Sequence, residues 1–285
     1  MKIATTLDEQ INRLQERGMT ISDCEKAREI LLDIGYYRLG FYWFHFEKSH
    51  PEKLDRPHYF IDGTSFNQVV DLYYFDQDLR NTLAPYLYRI EINFRTFLIY
   101  TVSNFYREDP TWFSNPKFVD CSFTDYLCLC YNTIKKNDVI RLHHKRYKCA
   151  YAPAWKTIEF MKFGDLLKLF SCLKDNKLKQ KISSHYNIRN PQVFFNFMNT
   201  IRVIRNLCAH GHNLYDLRLQ KSIKTGPLQN MSEDMHHNLS GGLKVISYIL
   251  HQISTNREQE LHERITNLLH QPQIQYLECT QHIII

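Results

Sequence analysis

The sequence predicts an all-α fold, because apolar side chains recur at helical spacing along most of the chain. No segment shows a competing alternation of apolar and polar residues of the kind that half-buried strands need. With 285 residues, 44% of them hydrophobic, the chain can bury a substantial core as one large domain or two small ones.

Capping residues predict the first two helices. Thr6 and Glu9 have the spacing of a capping box, in which each side chain accepts a hydrogen bond from the backbone N–H of the other residue. Ser22 and Glu25 repeat this spacing and predict a second helix that runs to about Ile34.

Apolar periodicity predicts the remaining helices. A long helical segment extends from Phe66 to Leu98, and Pro85 is expected to kink or interrupt it. Further helices are predicted near residues 122–135, 156–173, 176–186, 191–210, 239–253 and 261–269.

The polar stretch 220–236, which contains Gly226 and Pro227, divides the chain into two predicted parts. Residues 1–219 are expected to form one helical domain. Residues 220–285 are expected to form a linker and carboxy-terminal helices that pack on the same core.

Residues 205–210, Arg-Asn-Leu-Cys-Ala-His, are the most informative short segment. Arg205 and His210 together suit RNA cleavage, because histidine can accept a proton near neutral pH and arginine can stabilise the charge of a phosphorane. Neither role requires a metal. The structural alternative is a histidine that interacts with the helix dipole in the last turn, beside an arginine that is merely solvated or ion-paired.

The orientation of these two side chains depends on where their helix ends. On an ideal helix five residues turn through about 500°, so Arg205 and His210 point about 140° apart. Gly211 directly follows the histidine and is a helix stop signal. We therefore expect His210 to lie at a helix end, where the backbone can redirect it.

Four other segments precede this motif. They are Gly35–Trp43 (GYYRLGFYW), Tyr88–Arg95 (YRIEINFR), Ala152–Trp155 (APAW) and Phe163–Leu166 (FGDL). Together with residues 205–210 they resemble the Abi family of bacterial abortive-infection proteins, which belongs to the HEPN superfamily of helical ribonucleases. The resemblance spans about residues 5–218. It implies a HEPN-like helical bundle with additional amino- and carboxy-terminal helices.

The resemblance also implies roles for individual residues. Arg205 and His210 match the catalytic signature of the superfamily. Relatives often have a second histidine directly after the first, whereas this chain has Gly211 and then His212, so either imidazole can be the essential one. Asn206 can orient His210 or donate to phosphate, although a helical asparagine more often caps a helix or faces solvent.

Glu91 and Arg95 stand four residues apart on the predicted long helix. On their own they predict an ordinary surface ion pair that contributes about 0.3–0.5 kcal/mol. The resemblance implies instead that they support the catalytic motif from a neighbouring helix.

A dense basic cluster lies within fourteen residues in the middle of the chain. Its candidate RNA-binding residues are Lys135, Lys136, Arg141, Lys145, Arg146 and Lys148. Such a cluster attracts polyanions and gives affinity without sequence information. The alternative is an exposed, mobile, solvated face.

Composition predicts a cytoplasmic protein with no metal or other cofactor. Lys and Arg outnumber Asp and Glu by 36 to 30, which is a modest basic excess. No secretory signal is visible, and no apolar run approaches the roughly 20 residues that span a bilayer. The eight cysteines lack a C-x2-C pair and are expected to be reduced, mostly buried thiols.

The motif and the family resemblance together imply a metal-independent endoribonuclease that acts in phage defence or as a toxin. It is expected to cleave RNA through attack by the 2′-hydroxyl of the RNA itself. One motif per chain favours a homodimer, because the reaction uses both an acid and a base. The family resemblance further implies a small structured non-coding RNA as a partner. The alternatives are a non-catalytic RNA-binding or antitoxin-interacting helical module and a purely structural, partner-binding bundle.

Overall fold

The computed structural model describes residues 3–52, 54, 56–275, 277 and 280–285. Over these residues the chain forms α-helices and three isolated β-bridges but no sheet, which confirms the all-α prediction. The helices are α1 (Leu7–Glu16), α2 (Cys24–Asp33), α3 (Tyr36–Trp43), α4 (Phe66–Phe105), α5 (Cys121–Ile134), α6 (Asp138–Arg146), α7 (Ala154–Thr157), α8 (Phe163–Cys172), α9 (Asn176–His185), α10 (Pro191–His210), α11 (Leu239–Ile253), α12 (Thr255–Leu269) and α13 (Pro272–Gln275). No helix in this part of the chain is long and apolar enough to cross a membrane.

Helix α4 is the central element of the bundle. Its 40 residues extend over about 60 Å, and α3, α10, α11 and α12 pack along it. Leu79, Leu83, Leu87 and Ile90 follow one another at helical spacing and are fully buried. Because neighbouring helices cover α4 along most of its length, several of its polar side chains are also buried.

Pro85 lies within α4 and does not interrupt it, so that part of the expectation was wrong. Proline lacks the N–H that would bind the carbonyl of Asn81. Both Pro85 and Asn81 are exposed, so water can reach the freed carbonyl. Burial of Leu83 and Leu87 holds the helix together across this point.

The amino-terminal caps confirm one predicted helix start and correct the other. Thr6 and Glu9 form the capping box, with Thr6 N donating to Glu9 Oε2 at 2.7 Å and Glu9 N to Thr6 Oγ1 at 3.3 Å. Helix α2 is capped by Asp23, not by Ser22, because the Asp23 carboxylate accepts from Lys26 N at 2.9 Å. A carboxylate suits the positive end of a helix at least as well as a hydroxyl does.

The helix predicted near residues 156–173 is two helices, α7 and α8, separated by a 3₁₀ turn (Ile158–Phe160) and an extended Met161. Three further helices, α3, α6 and the short α13, were not predicted. Helix α3 is aromatic on most sides, and α6 buries only Ile140, so neither shows a clear apolar stripe.

The chain turns back after α10, and residues 212–228, the return segment, run along that helix in the opposite direction. Near its end, Asn196 Nδ2 donates to Ser222 O at 2.9 Å, and Lys224 N donates to Asn196 Oδ1 at 2.8 Å. Gly226 then passes so close to Val193 that a Cβ at this glycine would lie 2.5 Å from Val193 Cγ1.

The carboxy-terminal helices α11 and α12 pack against each other and against α4, and α11 also contacts α10. Gly242 permits this close approach, because a Cβ there would lie 2.5 Å from Ile204 Cδ1. The division of the chain at residue 219 stays a prediction.

Candidate active site

Residues 205–210 form the end of α10, which stops at His210 as the sequence predicted. Gly211 has φ 66° and ψ 28°, the left-handed conformation that favours glycine after a helix. The N–H of His212 donates back to Leu207 O at 3.0 Å and closes the turn. This turn therefore brings two histidines, on either side of the glycine, to the same end of the helix.

The His210 and His212 side chains are exposed, and their ring centroids lie 6.5 Å apart. Among the described residues, none makes a hydrogen bond or ion pair with either ring. Both imidazoles are therefore free to accept or donate a proton to a molecule that binds here.

Glu91 and Arg95 form a buried pair behind this helix end, with exposures of 3% and 7%, so the expectation of a surface pair was wrong. Arg95 Nη2 donates to Glu91 Oε1 at 2.8 Å and to Met161 O at 2.8 Å. The break between α7 and α8 supplies this carbonyl. The second Glu91 oxygen, Oε2, lies 3.2 Å from Arg205 Nε, at an angle that does not make a hydrogen bond.

Arg205 thus contacts a buried carboxylate on one side, while 34% of its side chain remains exposed. Its Nη1 donates to Asn206 Oδ1 at 3.3 Å. Asn206 therefore contacts Arg205 rather than orienting His210. The exposed part of the guanidinium can bind an anion. Its contact with Glu91 restricts the position of the guanidinium.

Asp76 of α4 fixes the turn that carries the histidines, and sequence reasoning missed it. The carboxylate is fully buried. Its Oδ1 accepts from the N–H groups of Leu214 and Tyr215 at 2.8 and 2.7 Å, and its Oδ2 accepts from Tyr42 OH at 2.9 Å. Burial and the neighbouring Asp76 raise the pKa of Tyr42, so its phenol stays protonated and donates.

Arg80, one turn further along α4, completes this cluster. It pairs with Asp76 and donates to Tyr42 OH at 3.2 Å and to His212 O at 3.1 Å. A signal for the pair was present in the sequence, because an acid and a base four residues apart interrupt an apolar helical stripe that includes Leu79 and Leu83.

Helix α3 reaches the same turn from the other side. Arg38 Nη1 donates to Gly211 O at 3.0 Å. Tyr42 stacks on Tyr215, with ring centroids 5.8 Å apart. The aromatic segment Gly35–Trp43 is therefore joined to the histidine turn by direct contacts, although the periodicity of the sequence gave no hint of it.

The segments that meet at this site all lie within the part of the chain that matches a known protein family. A profile of the Abi-like protein family matches residues 29–216, about two thirds of the chain. The chain belongs to the Abi-like protein family. No match was found among curated proteins or solved structures. Membership of this family supports a role in abortive infection.

Cys208 lies inside the motif of this Abi-like protein but is a poor nucleophile. Burial raises the pKa of its thiol to about 12, so it is protonated at neutral pH.

The expectation that the cysteines are mostly buried was wrong. Of those in the described part of the chain, Cys121, Cys128 and Cys149 are exposed and the others are half-buried, and all are free thiols.

The basic cluster lies on and beside α6. All six of its predicted RNA-binding side chains are exposed: Lys135, Lys136, Arg141, Lys145, Arg146 and Lys148. Arg141 pairs with Asp138, which lowers the local positive charge. His144 is held by Tyr131, with 2.7 Å between Nε2 and the phenol oxygen. The helix gives the cluster a defined backbone.

Proposed function

We propose that this Abi-like protein is a metal-independent endoribonuclease of the HEPN type, which acts on RNA in the cytoplasm during abortive infection or as a toxin that halts growth. The observation that carries the proposal is the end of α10, where two exposed imidazoles follow within seven residues an arginine that contacts the buried Glu91. Proton transfer and charge stabilisation are the two needs of RNA cleavage by its own 2′-hydroxyl.

In the proposed reaction, the 2′-oxygen attacks the adjacent phosphorus and its proton passes to an imidazole. The bond between phosphorus and the 5′-oxygen breaks, and that oxygen takes a proton from a second imidazole. His210 serves as the base or the acid, and Arg205 stabilises the charge on the phosphorane. The products are a 2′,3′-cyclic phosphate and a 5′-hydroxyl. Since the nucleophile belongs to the substrate, no metal-activated water is needed.

The test is to incubate purified protein with RNA in the presence of a chelator and to identify the new ends. We expect 2′,3′-cyclic phosphates and 5′-hydroxyls, and no cleavage where the 2′-hydroxyl is replaced by hydrogen. Binding of both RNAs without cleavage of either would instead support the non-catalytic RNA-binding module. Cleavage of the deoxy-substituted RNA would contradict self-attack.

The active species is proposed to be a homodimer. Each chain has one copy of the 205–210 motif, so two chains are required for two motifs to face one RNA. We expect sedimentation at working concentration to show a dimer. Mixing inactive His210→Ala and Arg205→Ala chains is expected to restore part of the activity if their roles are divided across the interface. A fully active monomer would contradict the composite site.

The basic cluster on α6 is proposed to hold RNA outside the cleaved bond. Reversal of charge in Lys145→Glu/Arg146→Glu should weaken RNA binding and flatten its dependence on salt, by about 0.7–0.9 in the log–log slope for each lost phosphate contact. The matched control is Arg13→Glu/Arg107→Glu, which changes the net charge equally at two exposed arginines. Equal slopes for the two variants would make the cluster a solvated face.

A further inference from the structure

A second basic surface lies at the opposite end of α10, where that helix meets α9 and the return segment. Two adjoining cavities of about 340 and 420 Å³ form it, and they share Lys179, Pro191 and Gln192. We call these joined cavities the α9–α10 groove. Its lining on α10 extends from Pro191 to Asn199, about 28 to 16 Å along the helix axis from His210, so it is not part of the catalytic motif.

The charges around this groove have one sign. Lys179, Arg189, Lys221 and Lys224 line it, and no carboxylate does. Within the described residues, none of these four cations is in an ion pair. The whole chain has 30 acidic residues against 36 basic ones, so composition alone predicts acidic residues among the charged side chains of such a lining.

The backbone that carries two of these lysines is held in place. Lys221 and Lys224 flank the stretch that Asn196 clamps through the backbone groups of Ser222 and Lys224. Ile223, between them, is buried, and its N–H donates to His236 O at 2.8 Å. A fixed backbone lowers the entropy lost when the lysines bind a ligand.

We propose that the α9–α10 groove binds the sugar–phosphate backbone of RNA, away from the bond that is cleaved. The cations are distributed over two cavities instead of converging on one point, which favours a polyanion over a single phosphate. Gln192 and Asn199 also line the groove and offer amide N–H groups to phosphate and ribose oxygens. This inference rests on the proposed function, because it takes RNA as the substrate.

The two ends of α10 then act on different parts of one RNA. The motif at the carboxyl end acts on the cleaved bond, and the groove at the amino end binds phosphates about 16 to 28 Å away. A dinucleotide is too short to reach both. The groove should therefore increase affinity for long RNA and leave cleavage of very short RNA unaffected.

The test compares two double variants in the His210→Ala background, which keeps the RNA intact during binding. Lys221→Gln/Lys224→Gln alters the groove, and the control Lys177→Gln/Lys181→Gln removes the same charge at exposed positions on α9 that do not line it. We expect the groove variant to reduce the slope of log affinity against log salt by about 1.4–1.8, or roughly 10- to 30-fold in affinity at 0.15 M salt. The control should change the slope less. Thermal unfolding curves show whether both variants fold.

If the groove variant and the control have equal slopes while the unaltered protein cleaves RNA, the groove does not bind RNA and the proposed function still stands. Failure of the unaltered protein both to bind and to cleave RNA would overturn the proposed function, and the groove with it. Binding of AMP is measured in the same proteins. If the unaltered groove binds AMP and the groove variant loses that binding while its RNA affinity is unchanged, the groove belongs to a free nucleotide and the proposal is overturned.

Discussion

Replacing His210 with alanine is expected to lower the rate of RNA cleavage by about 100- to 10,000-fold, the usual cost of removing a general acid or base. The protein should still fold, because the His210 ring is exposed and makes no hydrogen bond or ion pair with the described residues. The measurement is single-turnover cleavage of a labelled RNA in the presence of a chelator. In cells, the variant should permit growth and leave total RNA intact where the unaltered protein does not.

Two companion variants decide which groups carry the reaction. Arg205→Lys keeps the charge but loses the planar guanidinium, so it should be impaired, and Arg205→Ala more so. His212→Ala should have a smaller effect than His210→Ala. If His212→Ala is the inactivating change, the longer spacing from Arg205 is the operative one. Wild-type cleavage by folded His210→Ala and Arg205→Ala proteins would place the active site elsewhere.

Asp76→Ala is expected to lower the free energy of unfolding by about 3–5 kcal/mol. It would leave the Arg80 guanidinium, which is 5% exposed, without its counter-charge. It would also remove the acceptor for the N–H groups of Leu214 and Tyr215. Because folded domains are stable by only about 5–15 kcal/mol, this is a large fraction of the total.

Chemical denaturation measures this effect, and α4 offers a matched control. Asp78 lies two residues further along the same helix and is exposed, so Asp78→Ala should change stability by no more than about 0.5 kcal/mol. Where Asp76→Ala still folds, cleavage should fall as well, since the turn after His210 loses its anchor. Equal stabilities for the two variants would show that the buried cluster contributes nothing.

The end of α10 could be predicted because helix signals act locally. Gly211 ends the helix through its own backbone conformation, and Thr6 and Glu9 cap α1 across three residues. Such features need no knowledge of the rest of the fold. Local signals do not always choose between neighbours. The predicted start of α2 was one residue too early, because Ser22 and Asp23 are adjacent and both residue types suit an N-cap.

The surroundings of the candidate site could not be predicted in this way. Asp76 binds Leu214 across 138 positions of sequence, and no periodicity relates two such distant segments. Glu91 and Arg95 have the spacing of a surface pair, and only the packing of neighbours around α4 makes them a buried one. Local pattern indicates where a helix runs, but it does not indicate how much of that helix its neighbours will cover.

The anchoring of the histidine turn has a consequence for the synthesis of the protein. Arg38 and Arg80 donate to the carbonyls of Gly211 and His212, across 173 and 132 residues of chain. The amino-terminal helices therefore leave the ribosome long before their partners in the turn exist. A nascent chain cannot assemble this turn until most of its length has been translated. Under the proposed function, the incomplete chain therefore cannot cleave the message from which it is being made.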